Sequence, residues 1–219
     1  MMMTDKKAKE TVMAFVFWGS LWGMAEATLG YAAHMASILP GVAGLVMFPI
    51  GFYFMLRTLR STGKFGAVFA AAVIAAGIKL LDFFLPGPGA IYILNPALCI
   101  ILEALAVIAV YRIVGQRQER RDFRFSDALA VGTGWRLVFL GYLVFLSLFS
   151  IRSPLLGSGW GGIARFLVLE SIVNAAIMAL GLNLSKVLPS FGFNDRLRIR
   201  PMHAVSALAV AILLKLAFL

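Results

Sequence analysis

The sequence predicts an all-α fold: a polytopic membrane helix bundle of six to seven transmembrane helices with a cytoplasmic N-terminus, forming one integral membrane domain over residues 1–219. Three observations carry that prediction. Hydrophobic residues make up 61% of the chain and charged residues only 14%, against about half and a quarter in an ordinary soluble domain. A soluble fold of this size has too much surface for its volume to hide so much apolar area, whereas lipid accepts it. The apolar residues also fall in continuous stretches of about 20, the length a helix needs to cross a hydrocarbon core of roughly 30 Å. Finally, Lys and Arg gather in alternate loops, the asymmetry that orients membrane helices.

In chain order the apolar segments are roughly 11–35, 40–58, 65–85, 90–112, 127–150, 163–186 and 201–219. The first follows Lys6, Lys7 and Lys9; it is too long for the apolar part of a signal peptide and reads as a retained helix. Pro40-Gly41 opens the second, and Arg57, Arg60 and Lys64 mark the loop that closes it. Pro86-Gly87-Pro88-Gly89 ends the third, and Arg112, Arg117, Arg120, Arg121 and Arg124 follow the fourth. Ser126 and Asp127 suit the N-cap of the fifth. The Gly157–Gly162 stretch supplies a turn before the sixth, which Lys186, Arg196, Arg198 and Arg200 follow. Pro201 suits the first turn of the seventh, where Lys215 is placed to snorkel to the interface. Loops 34–41 and 85–90 hold no Lys or Arg, and the fifth-loop region holds only Arg152 and Arg165. The net charge of +10 therefore reports topology. Without a basic stripe interleaved with aromatics it does not indicate nucleic acid.

Ionisable residues at membrane depth cost roughly 2.5–3.5 kcal/mol each on insertion scales, so they face the bundle interior or water. This chain places Glu26, Lys79, Asp82, Glu103, Arg136, Glu170 and Lys215 in its apolar segments. Acids and bases are close to balanced, and pairing that ties helices together is one reading. Glu103 with Arg136 is the expected structural ion pair, since both fall near mid-bilayer. Lys79 and Asp82 are three apart on one helical face and can pair. Depth supplies a second reading. Glu26, Lys79, Asp82 and Glu170 fall in the outer half, Asn95 and Arg165 near the outer starts of their helices, and His34 and Trp160 at the rim. Such a set describes a substrate-binding pocket open to the outside, with Lys79 and Arg165 holding anionic groups. Glu26, Asp82, Asn95 and Glu170 would orient the ligand, and Trp160 would cover it.

Gly19, Gly23 and Ala27 recur every four residues in the first helix, and Ala32 and Ala36 repeat the spacing further out. Small residues at this spacing let helices approach closely, either within the chain or against a docking partner. The lone cysteine, Cys99, excludes an intrachain disulfide. Glu26 and His34 without a second histidine nearby do not make a metal site. No Walker sequence, Asp-rich motif or histidine cluster is present, so no catalytic residues, cofactor or metal ligands are assigned, and an enzyme is not expected.

Size, topology, the lack of an ATPase motif, the small first-helix stripe and the polar residues of the outer half together resemble the substrate-binding (S) components of energy-coupling factor transporters. The resemblance covers the first six helices. It implies capture of a vitamin-like polar or anionic metabolite, or a metal, from outside the cell membrane. It also implies docking of the first helix, through Gly19, Gly23, Ala27, Ala32 and Ala36, on a transmembrane coupling subunit bearing ATPase subunits. A seventh helix departs from the pattern. Three alternatives stand beside it: an autonomous proton- or ion-coupled carrier using Glu26, Glu103 or Glu170, a membrane enzyme acting on lipid, and an assembly subunit whose charges are helix glue.

Overall fold

The computed structural model describes residues 2–30, 42–84, 89–117, 124–187 and 199–217, and the regular structure among them is helical. Helix α1 (Met2–Ala25) runs into a π turn (Glu26–Gly30), and α2 (Val42–Thr62) follows. Helix α3 (Phe65–Leu80) is extended by a 3-10 turn (Leu81–Phe84), and α4 (Ala90–Arg117) and α5 (Phe125–Ser147) come next. Two short helices, α6 (Pro154–Gly157) and α7 (Gly159–Ala164), lead through a second π turn (Arg165–Leu169) into α8 (Glu170–Val187) and finally α9 (Pro201–Ala217). Five stretches, Lys6–Gly30, Phe65–Phe84, Ala90–Ile113, Phe125–Ser147 and Gly159–Leu182, are long and apolar enough to cross a membrane. Helix α2 packs among them, and the shorter apolar α9, at 17 residues, lies against α1. The all-α bundle that the composition predicts is the fold found.

Neighbouring helices close a ring in the order α1, α3, α4, α5, α8, α2 and back to α1, with α9 lying outside against α1. Small residues set the tightest of these contacts. A Cβ on Gly19 would stand 2.6 Å from the Ala71 carbonyl oxygen, and one on Gly23 would run into Ile78. Ala67, Ala71 and Ala75 of α3 are buried in the same interface. Dispersion between closely approaching backbones is what lipid cannot supply. The expected docking face on α1 is therefore spent inside the chain: Gly19, Gly23 and Ala27 are all buried, while Ala32 and Ala36 lie outside the described residues. The opposite side of α1 is covered as well, because Ala14 and Trp18 pack on Ile199 and Ala204. Trp22 is fully buried against α2, where Gly51 makes room: a Cβ there would lie 2.8 Å from the indole.

The two ends of the bundle differ in charge. At the basic end Lys6, Lys7, Lys9, Arg60, Lys64, Arg112, Arg124 and Arg200 are exposed. Arg57 is the buried exception, stacked over Trp18 at 5.1 Å. Helix α5 begins two residues before Asp127, which does not cap it. Asp127 sits at the third helical position, and its Oδ2 accepts from the Arg124 N–H at 2.8 Å, the reciprocal arm of a capping box. Pro201 opens α9 as its fixed φ favours. At the other, charge-poor end, the glycine-rich stretch is less of a turn than its composition predicts. The break is confined to Ser158 and Gly159 (φ 71°), and helix resumes from there. His34, Pro40-Gly41 and Pro86-Gly87-Pro88 lie outside the described residues.

Candidate functional site

Two groups of buried charges occupy the charge-poor half. In the first, Lys79 Nζ meets Asp82 Oδ2 at 2.8 Å, the contact that a three-residue spacing predicts. The other Asp82 oxygen is taken by Lys215 of α9. Lys215 thus turns into the bundle instead of snorkelling outward, because a carboxylate is within its reach there and the α9 face that carries it packs on α1. Glu26 is buried at the start of the first π turn. Its carboxylate folds along the helix, so that a Cβ on Gly30 would lie 3.1 Å from Oε2. It is within electrostatic reach of both Lys79 and Lys215.

The second group is built on α5, α8 and the turn between α7 and α8. Arg136 has no exposed surface. Its guanidinium lies among aromatic rings, 4.6 Å from the centroid of Trp135 and 5.3 Å from that of Phe166. Nη1 donates to the Gly132 carbonyl at 3.0 Å and approaches Ser171 Oγ at 3.5 Å. The Asn174 carboxamide fits one way round only, its oxygen 2.9 Å from Arg136 Nη2 and its nitrogen 2.9 Å from the Leu45 carbonyl. The reverse would set oxygen against carbonyl oxygen and nitrogen against guanidinium. Glu170 stands between two arginines, with Oε2 3.8 Å from Arg136 Nη2 and Oε1 3.7 Å from Arg165 Nε. Arg136 is therefore partnered by Glu170, and not by Glu103 as mid-bilayer depth suggested. Glu103 is buried on α4, within electrostatic reach of Arg136 and of Glu26 but outside ion-pair distance of the guanidinium.

A five-residue spacing would not normally bring Arg165 to Glu170. On an α-helix five residues leave the side chains about 140° apart. The π turn closes that gap: the Glu170 N–H bonds the Arg165 carbonyl, the i→i+5 register that overlays residues five apart. Such turns recur at functional positions. Here two of them abut Glu26 and Glu170, the acidic members of each group.

Of the expected pocket residues, Lys79 and Asp82 come together, as do Arg165 and Glu170, and Glu26 is within electrostatic reach of Lys79. Asn95 joins neither group; its side-chain oxygen is buried and accepts no hydrogen bond from the described residues. Trp160 is 86% exposed and covers neither group. Its indole projects from α7 in the manner of an interfacial anchor. Lys215, Ser171 and Asn174 are the functional-depth residues that sequence reasoning did not place in the site. Asn174 had a signal, since it falls four residues after Glu170 and shares its helical face. Lys215 had none, because its partner is 133 residues away in the chain. Among the described residues no cluster of three or more potential metal ligands occurs.

Comparison with protein-family models, curated proteins and solved structures returns no match. The class is defined by the fold itself: a multi-pass α-helical membrane protein whose intramembrane charges face one another inside the bundle. Four bases (Lys79, Arg136, Arg165, Lys215) and four acids (Glu26, Asp82, Glu103, Glu170) face inward there.

Proposed function

We propose that this protein is a membrane-embedded solute-capture subunit of the cytoplasmic membrane, of the energy-coupling-factor type. It binds a small polar solute in the charge-poor half and relies on a partner for energy. The observation that supports this reading is the gathering of buried or part-buried ionisable side chains from the π turn after α1, α3 and its 3-10 extension, α4, α5, the α7–α8 segment and α9 inside the bundle. Placing so many charges away from water is costly unless they serve one another or a ligand. Six of the eight in direct ion pairs would already hold the helices together. Glu26 and Glu103 go beyond that need. The partner would not dock through Gly19, Gly23 and Ala27, which α3 occupies; a coupling subunit would meet another face of the ring.

One observation favours a second reading, an autonomous proton- or ion-coupled carrier. Helix interruptions at membrane depth characterise secondary transporters, and the two π turns interrupt α1 and the α7–α8 helix beside Glu26 and Glu170. Affinity purification of the tagged protein from native membranes in mild detergent separates the two. Co-recovery of a transmembrane protein with ATPase subunits is the expected result. Repeated recovery of the chain alone, followed by solute uptake into liposomes containing nothing else, would replace the first reading with the second.

A further inference from the structure

Resting on the reading that a solute binds in the charge-poor half, we propose that the solute carries an ammonium group, held between Glu103 of α4 and Glu26 in the π turn after α1. Both carboxylates would accept its N–H donors inside the ring of helices. Three features of the molecule converge on this assignment.

The first is what remains once the ion pairs have formed. Lys79 and Lys215 are both engaged by Asp82, and Arg136 and Arg165 both face Glu170. Glu26 and Glu103 are only 8% and 4% exposed. Among the described residues no base comes within ion-pair distance of either. Burying a carboxylate in that state is costly. The bases at this depth are committed to Asp82 and Glu170, and two acids are left over.

The second is convergence. Helices α1 and α4 are not neighbours in the ring, since α3 stands between them, yet the two glutamates lie within electrostatic reach of one another. They therefore face each other across the interior. Cys99, one turn from Glu103 on the same stripe of α4, is within reach of both. Like charges brought together repel unless a cation joins them, and holding the helices together gives no reason to place them so.

Unpartnered polar atoms are the third. Asn95 continues the α4 stripe one turn beyond Cys99, and its buried Oδ1 accepts no hydrogen bond from the described residues. Trp22, one turn before Glu26, has no exposed surface. Its indole N–H approaches the Glu26 carboxylate but completes no hydrogen bond there. Three acceptor groups, two of them anionic, complement an ammonium group, which has donors only. The Trp22 N–H is left for an oxygen on the same solute.

The test uses the full chain in lipid nanodiscs at neutral pH and constant ionic strength. Ethanolamine, ethylene glycol and glycolate serve as probes, matched in size but cationic, neutral and anionic in turn. Binding is read as a saturable shift in melting temperature. Ethanolamine should stabilise the wild type, and the other two should not. Glu103→Gln, which keeps the shape and removes the charge, should weaken the apparent affinity by about tenfold or more. It should leave the ligand-free melting temperature unchanged or raise it, because no base loses a direct partner; removing a purely structural carboxylate would lower it. Glu103→Asp should retain part of the affinity and serves if the glutamine variant does not fold. Gly30→Ala keeps every charge but sets a Cβ 3.1 Å from Glu26 Oε2, and it should weaken binding severalfold. Stabilisation by ethanolamine that survives both Glu103→Gln and Glu26→Gln overturns the assignment and leaves the solute site standing. An equal shift with ethylene glycol, or a shift with glycolate alone, overturns the cation class. Absence of any shift overturns the inference, and co-purification with a coupling subunit would still decide the broader reading separately.

Discussion

The two buried charge groups use similar residues to different ends. Around Asp82 both carboxylate oxygens are engaged at short range, one by a neighbour on the same helix segment and one by α9. Around Glu170 both oxygens are faced by arginines, yet neither pair closes, and an irregular helical turn is needed to bring one of them near. The Asp82 group behaves as a fastener. It ties the peripheral α9 to the ring, to which α9 is otherwise joined mainly through α1. The Glu170 group is half-closed, with its inner arginine locked and its outer one reachable. An intramembrane ion pair is thus no uniform fastener; its distances and the exposure of its partners decide how firmly it holds.

Arg136→Met should break the comparison most severely. It removes the cation from a sealed cage, takes the donor from the Asn174 oxygen and leaves Glu170 facing only the part-exposed Arg165 among its ion-pair partners, and losing one partner of a buried pair costs about 3–5 kcal/mol. Reversible unfolding in mixed micelles measures it. Asp82→Ala comes next, since it leaves Lys79 and Lys215 without their shared carboxylate; a loss of roughly 3 kcal/mol is expected, with α9 separating from α3 as followed by cysteine cross-linking. Lys215→Met should be far milder, about 0.6 kcal/mol, the average for a polar contact between membrane helices, because Asp82 keeps Lys79. A Lys215→Met variant as damaged as Asp82→Ala would mean that the fastener works through α9 alone. Trp160→Ala is expected to stay within about 0.5 kcal/mol and to leave solute binding untouched, its indole being 86% exposed; a binding defect there would restore the covering role that its glycine-rich setting suggested.

The bundle was legible because its causes are local and additive. Long apolar runs and alternating loop charge report the class directly, and the Lys79–Asp82 contact follows from three-residue helical spacing. What the sequence concealed depends on packing. The side of α1 that Gly19 and Gly23 face is decided by α3, which presents an equally small surface at Ala71. The partner of Arg136 is decided by packing around α5, which has α4 with Glu103 on one side and α8 with Glu170 on the other, and Glu170 is the one that comes within 3.8 Å. The pairing of Arg165 with Glu170 needs a π turn, and a five-residue spacing gives no warning of one. Lys215 illustrates the same limit: near the end of a short apolar helix, outward snorkelling is the local expectation, and only the position of Asp82 on a distant helix reverses it.

The central claim is that the charge-poor half holds a polar solute. It is tested most directly by purifying the wild type and Glu103→Gln from native membranes and identifying the small molecules released on denaturation by mass spectrometry. One polar species is expected at near-stoichiometric amount in the wild type and is lost from the variant. Equal release from both proteins, or none from a folded wild type, would contradict it and leave the buried charges as helix glue.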